Sequence, residues 1–310
     1  MINYLYRRLT PIKLFEVIIM QTVDLHTHSN KSDGTLSPAQ LVHAAYDAGL
    51  DAVALTDHDT AEGLAEAMAA VKTLDDSRSF EFIPGIELSV SYMDRELHIV
   101  GLYLDTDSPG FLTALNALQQ NRDARNEKMI RNMNQAGIDI TMDKLRQDQG
   151  GGVLTRANFA SYLLHTGVIA SIQEGFDKYL DREKPFYVSR EYMNPASAID
   201  LIHRAGGLSI LAHPLMYHLL EKELDTAVST LCSLGLDGLE TWYSSNLGND
   251  LQRMKKLADK YHLLYSGGSD FHGANKPQIK IGRGRGKLFI PYDIVAAHKA
   301  ALKNNPAPDR

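Results

Sequence analysis

Seven short apolar segments recur along the chain, separated by stretches that have the composition of helices. The strand-like segments are residues 22–26, 52–56, 81–88, 97–104, 208–212, 236–241 and 263–267. Strands that alternate with helices are typical of parallel βα units. The sequence therefore predicts an α/β fold in which a parallel sheet is either closed into a barrel or wound as an open sheet.

Two of the intervening helices have clear start and stop signals. Ser37 followed by Pro38 predicts the start of one helix, and Gly49 predicts its end. Asn194 followed by Pro195 predicts the start of another, which should end at residues 206–207. A small polar residue before proline is a typical helix N-terminus, and glycine is the usual residue just after a helix.

The alternation stops between residues 106 and 190, where the chain is mostly helical with a polar run at 119–135 and glycines at 150–152. We therefore expect a discontinuous barrel, formed by residues 20–105 and 191–300, with a helical insertion at 106–190 over its mouth. Residues 1–19 are expected to be a flexible leader. Residues 301–310 are expected to be a tail.

Composition limits the class of protein and its partners. The 310 residues are 44% apolar and 23% charged, which is typical of a globular protein, and the formal net charge of −6 offers no general attraction for nucleic acid. The single cysteine, Cys232, excludes a disulfide framework and favours a cytoplasmic location. No apolar stretch of 18 residues occurs, so no membrane span is predicted. No protein partner is indicated.

Half of the twelve histidines fall at or near the ends of the predicted strands. These six are His26, His28, His58, His98, His213 and His272. In parallel βα folds the carboxyl ends of the strands converge on one face, where catalytic groups collect. The six imidazoles should therefore meet. The other six histidines lie on or beside predicted helices and are interpreted as surface or packing residues.

Three carboxylates accompany these histidines. Asp33 follows the first strand in the loop "SNKSDG", Glu87 lies near the end of the third strand, and Asp270 lies two residues before His272. Carboxylates that leave water require compensating positive charge. Because imidazole nitrogens and carboxylate oxygens are the donors that bind transition metals, the pattern predicts a metal site.

The order of the motifs resembles that of the PHP (polymerase and histidinol phosphatase) superfamily. The similarity covers residues 23–290 and is carried by "DLHTHSNKSDGTLSP", "LTDHDT", "IPGIELS", "HIVGLYLD", "LAHP" and "GSDFH". "TRANFA", "KPFYV" and "AIDLIHRAGGLSILAHP" are similar to one bacterial branch, the 3′,5′-nucleotide bisphosphate phosphatases, which includes a 5′-to-3′ exoribonuclease that trims ribosomal RNA ends.

The resemblance implies a distorted (β/α)7 barrel that binds three divalent metal ions, manganese first, with zinc or iron as alternatives. It assigns His26, His28, Glu87 and Asp270 to the first metal, Asp33, His58 and His272 to the second, and Glu87, His98 and His213 to the third. A hydroxide shared by the first two metals would attack phosphorus, which gives catalytic roles to Asp33, His58, Asp270 and His272.

The resemblance also implies the substrate, a nucleotide bisphosphate or the 5′ end of a short RNA. Arg156 is the candidate for binding a second phosphate, and Tyr187 is a candidate for stacking on a base. In the similar proteins the segment commonly reads Arg-x-His, whereas this chain has Asn158 at the third position, which we still assign to substrate binding.

Two basic runs have open interpretations. One comprises Arg122, Arg125, Lys128 and Arg131, which recur every third residue and are expected mainly to form a solvated helix face, with a wall that guides the phosphodiester chain as the alternative. The other is the loop "KIGRGRGK" at 280–287, which is either a phosphate-binding loop or a plain turn.

Two alternative functions remain at this point. The first is a phosphatase of the histidinol-phosphate type, which would use the same metal site. The second is a non-catalytic, metal-stabilised module, which would be expected to have lost several ligands. The chain retains all nine.

Overall fold

The computed structural model describes residues 21–304 apart from positions 76, 94, 150, 151 and 190. The predicted leader at 1–19 lies outside the described residues, as do positions 305–310 of the predicted tail. Residues 301–304 belong instead to the last helix. Within the described residues, no helix is both long and apolar enough to cross a membrane.

The seven predicted strands are all present and form one sheet in sequence order. They are β1 (Val23–Asp24), β2 (Ala52–Leu55), β3 (Glu81–Tyr92), β4 (Arg95–Leu102), β5 (Leu208–Leu211), β6 (Gly238–Tyr243) and β7 (Leu264–Gly268). The segments that follow β1 and β7 pair with each other, because Asp270 N donates to His26 O (2.8 Å) and His28 N donates to Phe271 O (2.9 Å). The sheet is therefore a nearly closed barrel, and the barrel prediction is confirmed.

The expectation of uniformly parallel strands was wrong for β4. This strand runs antiparallel to both β3 and β5, whereas the other neighbouring pairs are parallel. The physical reason is the short connection from Tyr92 to Arg95, which face each other in the register. A parallel pair needs a long crossover, so this connection can only form a hairpin.

The helices in the described part of the chain lie between or after the strands. They are α1 (Pro38–Asp47), α2 (Leu64–Val71), α3 (Pro109–Gln135), α4 (Met142–Gln149), α5 (Arg156–His165), α6 (Ile172–Gly175), α7 (Pro195–Arg204), α8 (Glu221–Ser233), α9 (Asp250–Lys260) and α10 (Asp293–Asn304), and a π-helical turn, Phe176–Leu180, follows α6. The predicted caps of α1 and α7 are confirmed, since Ser37 accepts a hydrogen bond from Gln40 N (3.2 Å) and Asn194 accepts one from Ser197 N (2.9 Å).

Several apolar clusters hold the barrel and its helices, and α3, which lies in the predicted insertion, contributes to two of them. One cluster joins β1, β2 and β5 to Ile290 and α10, and another packs α3, α7, α8 and α9 against the strands. A third lies within residues 129–186, around Met133, Phe159 and Leu180. The insertion boundaries at 106 and 190 stay a prediction. The rim at the carboxyl ends of the parallel strands is left to polar side chains.

Candidate metal centre

The structure brings all nine predicted ligand residues together at this rim. They are His26, His28 and Asp33 after β1, His58 after β2, Glu87 in β3, His98 in β4, His213 after β5, and Asp270 and His272 after β7. All but His58 and His98 are buried. Parallel βα units place strand ends on one face, which is why residues so distant in sequence meet here.

Glu87 and His98 reach the site from within strands rather than from strand ends. β3 continues to Tyr92 in order to pair with β4, so Glu87 lies in its interior. Because β4 is antiparallel, its beginning and not its end lies at the rim, and His98 is therefore near the start of the strand. His98 is thus near an end of its strand as predicted, but at the amino end and not at the carboxyl end from which the convergence of the six imidazoles was argued.

The Glu87 carboxylate lies at the centre of the site, among five imidazoles. Its Oε2 is 3.3 Å from His26 Nε2, 3.3 Å from His28 Nε2 and 3.1 Å from His58 Nδ1, and its Oε1 is 2.9 Å from both His98 Nδ1 and His213 Nε2. One carboxylate is thus within reach of donors from β1, β2, β4 and β5. This is the geometry expected of a carboxylate that bridges neighbouring metal ions.

Asp33 and Asp270 lie on the side of the site formed by the first and last strands. Asp33 Oδ1 is 3.2 Å from His272 Nε2, and Asp33 Oδ2 is 3.7 Å from His58 Nε2. Asp270 Oδ1 is 3.4 Å from His28 Nε2. Four groups of donor atoms are close enough to share an ion, and they overlap: His28/Asp33/His58/His272, His26/His28/Asp270, His26/Glu87/His213 and His58/Glu87/His98. The division among three metals implied by the resemblance stays a prediction.

The donor set fits divalent cations on two grounds. First, several buried ring nitrogens make no hydrogen bond of acceptable angle within the described residues, although those of His26, His28 and His58 nearest Glu87 Oε2 are only 3.1–3.3 Å from it. These atoms are His26 Nε2, both nitrogens of His28, His58 Nδ1 and His213 Nδ1. An unpaired buried polar atom is destabilising unless something binds it. Second, imidazole and carboxylate together suit manganese, iron or zinc rather than calcium.

The electrostatics of the cluster show the same requirement for positive charge. Burial would raise the pKa of Glu87, but the surrounding imidazoles, His98 among them, hold it well below its usual value. Burial would lower the pKa of His28, but Asp270 and Glu87 raise it to about 9. Burial lowers the pKa of His58 to about 3, so this ring is neutral near pH 7. Protonated rings therefore do not accompany every contact of the carboxylates, and cations can provide the positive charge that is missing.

Two of the nine residues have left-handed backbone conformations, which non-glycine residues rarely adopt. These are His213 (φ 30°) and Asp270 (φ 56°). The backbone N–H of His213 donates to Glu240 Oε2 (2.6 Å), and that of Asp270 donates to His26 O (2.8 Å). Such strain persists where the surroundings enforce it, and it is concentrated at functional sites.

Sequence reasoning missed Glu240, which supports two of the imidazoles. It lies in β6, is only 3% exposed, and its Oε1 is 3.1 Å from His26 Nδ1. This contact orients the ring so that Nε2 faces the site, while the other oxygen holds the backbone of His213. The signal in the sequence is a charged residue inside the buried strand segment "GLETWY".

Asp57 supports the first loop rather than a helix. It accepts hydrogen bonds from Ser29 N (2.8 Å), Ser29 Oγ (2.6 Å) and Ser32 Oγ (2.6 Å), in the loop that carries Asp33. The next helix, α2, begins only at Leu64, and its N-cap is Gly63. Asp57 therefore caps no helix.

Arginines from α3 line the same cavity as the imidazoles, and together with Arg156 of α5 we call them the arginine wall. Arg122 and Arg125 are 4% and 5% exposed, and the Arg122 Nε donates to Asp59 Oδ2 (2.7 Å). Lys128 and Arg131, further along the same helix, are exposed. The predicted solvated face is thus wrong for its first two members, because the start of α3 packs over the barrel rim.

The three predicted substrate-binding residues have different surroundings. Arg156 is at the start of α5 and donates to Glu96 Oε2 (2.7 Å), and its guanidinium lies 5.6 Å from the centre of the Tyr187 ring. Asn158 is buried, caps α5 through Thr155 N (2.6 Å), and donates to Ser32 O (3.3 Å). Asn158 therefore has a structural role, and a contact between it and substrate stays a prediction.

A cavity of about 320 Å³ is lined by imidazoles of the rim and by the arginine wall. Its lining includes Asp33, His58, His98, His213, Arg122, Arg125 and Arg156. A volume of this size suits one small ligand.

The second basic run, at 280–287, does not line this cavity. Its cationic side chains are exposed, and Lys280 pairs with Gly284 across a turn.

Comparisons with known proteins agree with this geometry. A model of the PHP domain family matches residues 24–182. The 5′-3′ exoribonuclease Rnm of Escherichia coli K12 is 34% identical over 271 residues, 87% of this chain and 90% of that protein. A 3′,5′-nucleoside bisphosphate phosphatase of Chromobacterium violaceum is 33% identical over 264 residues, 85% of this chain and 91% of that protein.

Solved structures show the same fold. An amidohydrolase from Chromobacterium violaceum, with bound sulfate and no metal, superposes with a TM-score of 0.78 at 30% identity, covering 89% of this chain and 96% of that one. A candidate metal-dependent phosphoesterase from Bifidobacterium adolescentis also gives a TM-score of 0.78, at 27% identity, covering 90% and 96%.

Proposed function

The chain belongs to the PHP domain family, and on that premise we propose that it is a metal-dependent phosphohydrolase. Its proposed substrates are 3′,5′-bisphosphonucleotides and the 5′ ends of RNA, which it would shorten as a 5′-3′ exoribonuclease. The observation that carries the proposal is the Glu87 carboxylate among five imidazoles, with several buried ring nitrogens left without a hydrogen bond.

The nine rim residues would hold three divalent ions, for which manganese is our first choice. When bound, such ions would provide Lewis-acid activation of water and neutralise charge on the phosphoryl oxygens. We assign catalytic roles to Asp33, His58, Asp270 and His272. Lys276 and Tyr243 fix Asp270 in place, because Lys276 Nζ and the Tyr243 hydroxyl are each 2.7 Å from Asp270 Oδ2.

The arginine wall would bind the non-reacting phosphate. Guanidinium groups bind phosphate oxygens through paired donors, and Arg122, Arg125 and Arg156 line the same cavity as His58 and His98. A nucleotide with two phosphates can therefore contact the metal centre and the arginines at once. One of the named relatives is a 3′,5′-nucleoside bisphosphate phosphatase, whose name describes such a substrate.

Two substrates tested on one preparation decide the proposal. Purified protein with manganese should release phosphate from adenosine 3′,5′-bisphosphate and should shorten a 5′-phosphorylated oligoribonucleotide. Asp270→Ala should abolish both activities while the thermal unfolding transition is retained. Failure of the wild-type protein on both substrates, with metal shown to be bound by elemental analysis, would reject the function.

The two alternative functions are tested in the same experiment. Histidinol phosphate has a single phosphate and a cationic amine, and a wall of three arginines is unfavourable for that amine. Preferential hydrolysis of histidinol phosphate would favour the first alternative. A purely metal-stabilised module would bind metal and hydrolyse none of these esters, although retention of all nine donors in one cluster favours catalysis.

A further inference from the structure

A second and larger depression opens directly from the catalytic cavity. Its volume is about 1200 Å³, and its lining shares Glu96, Arg156, Tyr192, Met216 and Tyr217 with the cavity. We call it the outer groove. The cavity of about 320 Å³ is of the size that one small ligand needs, so the outer groove has room for considerably more than a mononucleotide.

The boundary between cavity and outer groove is fixed relative to the metal centre. Glu96 Oε2 accepts hydrogen bonds from Arg156 Nη2 (2.7 Å) and the Tyr192 hydroxyl (2.9 Å). The other oxygen of Glu96 is 3.4 Å from His98 Nε2. Arg156 and Tyr192, which line both the cavity and the outer groove, are thus connected through the Glu96 carboxylate to the His98 imidazole.

The outer groove contains the groups that bind single-stranded nucleic acid. Tyr187 provides an aromatic ring on its wall, and the Arg156 guanidinium lies 5.6 Å from the centre of that ring. Arg95 and Arg182 add exposed cationic groups along the same wall. Stacking on aromatic rings beside a cationic path for the backbone is the usual way in which proteins bind single strands without reading their sequence.

The charge of the outer groove favours a bound chain segment over a free polyphosphate. The acidic residues Asp181, Glu96 and Glu191 also line it, so the arginines are interspersed with carboxylates. A phosphodiester carries one negative charge per nucleotide and presents sugar and base between charges. A mixed lining with an aromatic wall therefore suits a phosphodiester chain better than it suits a free polyphosphate, whose negative charge is concentrated.

We propose that the outer groove binds the nucleotides that follow the terminal one in a single-stranded RNA, with a base against Tyr187 and a phosphodiester near Arg95 and Arg182. This proposal rests on the proposed function. It makes oligoribonucleotides, rather than mononucleotide bisphosphates, the substrates that use the whole binding surface.

The test is the dependence of kcat/KM on substrate length. Wild-type protein is compared on adenosine 3′,5′-bisphosphate and on 5′-phosphorylated oligoribonucleotides from dinucleotide to octanucleotide. We expect kcat/KM to rise over the first few nucleotides and then to level off. Tyr187→Ala and Arg182→Glu should each lower the ratio of kcat/KM for the octanucleotide to that for the bisphosphate by about tenfold.

The matched control is Arg204→Glu. Arg204 is 72% exposed, pairs with Asp200 in α7 and does not line the outer groove, so the ratio should stay at the wild-type value. A readout independent of turnover is the binding of a fluorescent 5′-phosphorylated octanucleotide in EDTA, measured by anisotropy. Arg182→Glu should weaken this binding and reduce its dependence on salt concentration.

The outcomes separate this proposal from the proposed function. Hydrolysis of the bisphosphate without any dependence on RNA length, or equal effects of Arg182→Glu and Arg204→Glu, would overturn the outer-groove proposal alone. Absence of hydrolysis on every substrate with metal bound would instead reject the proposed function. Length dependence that Tyr187→Ala and Arg182→Glu both reduce would support the groove.

Discussion

The two walls of the catalytic cavity are built in different ways. The barrel wall consists of imidazoles and carboxylates that strand ends and one hairpin hold in place, and several of its ring nitrogens lack hydrogen-bond partners among the described residues. The arginine wall consists of arginines from α3 and α5, two of whose guanidinium groups pair with carboxylates of the barrel: Arg122 with Asp59, and Arg156 with Glu96. The first wall is suited to binding cations and the second to binding anions.

The two walls therefore depend on the packing of the molecule in different ways. The barrel wall follows from the topology of the sheet, so its donors meet wherever the barrel forms. The arginine wall depends on how α3 and α5 rest on the rim, and its ion pairs both hold these helices and aim their charges. Substitutions in the barrel wall should therefore affect metal binding and turnover, whereas substitutions in the arginine wall should affect stability and substrate affinity.

The largest effect is expected from Glu87→Gln. The neutral amide keeps only one acceptor oxygen among five imidazoles, so we expect loss of bound metal and a fall in kcat on the order of 10⁴-fold. Elemental analysis and phosphate release measure the two effects. Glu81→Gln is the control, because Glu81 begins the same strand and contacts Tyr292 and Lys299 instead. Retention of metal by the Glu87 variant would contradict the central role of this carboxylate.

Arg122→Ala should produce the next largest effect, on folding. The change removes the guanidinium from Asp59, which is fully buried, and we expect the free energy of unfolding to fall by about 4 kcal/mol. Urea denaturation measures it. Arg146→Ala is the matched control: its partner Asp123 is 3.2 Å away, both side chains are about half exposed, and the loss should stay below about 1 kcal/mol. Similar losses in the two variants would contradict the structural role of the Arg122 pair.

Glu240→Gln should weaken the metal centre without touching a predicted ligand position. Both carboxylate oxygens of Glu240 face N–H donors, those of His26 and His213, so one donor would meet an amide NH₂ group instead. Metal affinity, measured by competition with a chelator, should fall by about 10- to 100-fold. Exposed Glu223, substituted in the same way, should leave it unchanged. Unaltered affinity in Glu240→Gln would show that the imidazoles are held by other contacts.

The smallest effect is expected from Asn158→Ala. The change removes the hydrogen bond that Asn158 Oδ1 accepts from Thr155 N in the capping box of α5, while Thr155 remains the N-cap. The free energy of unfolding should fall by about 1 kcal/mol, as it should in the control Asn194→Ala, which removes the N-cap of α7. The KM values of the two variants distinguish a contact with substrate from a role in capping alone. If Asn158 binds substrate, KM for the bisphosphate should rise about tenfold in Asn158→Ala alone. If it only caps the helix, KM should stay near the wild-type value in both.

The sequence predicted the barrel wall better than the arginine wall, for a physical reason. Positions of residues such as His26, His28 and His58 follow from apolar periodicity and strand ends, which are local signals. The direction of β4 depends on a two-residue connection, and the burial of Arg122 depends on how a helix packs on a distant rim. Neither feature is visible in periodicity. Glu240 was missed because a single carboxylate in a strand segment does not show which neighbour it contacts.

The pairing of the segments after β1 and β7 has a consequence for folding. His26 and His28 come from the beginning of the barrel, and Asp270 and His272 from its end, so the site is assembled across nearly the full length of the chain. Contacts of such large sequence separation form late, because closing a long loop is entropically unfavourable before other contacts offset it. Binding of the full set of metals should therefore be among the last events in folding, because a chain that ends before β7 lacks Asp270 and His272, two of the nine donors.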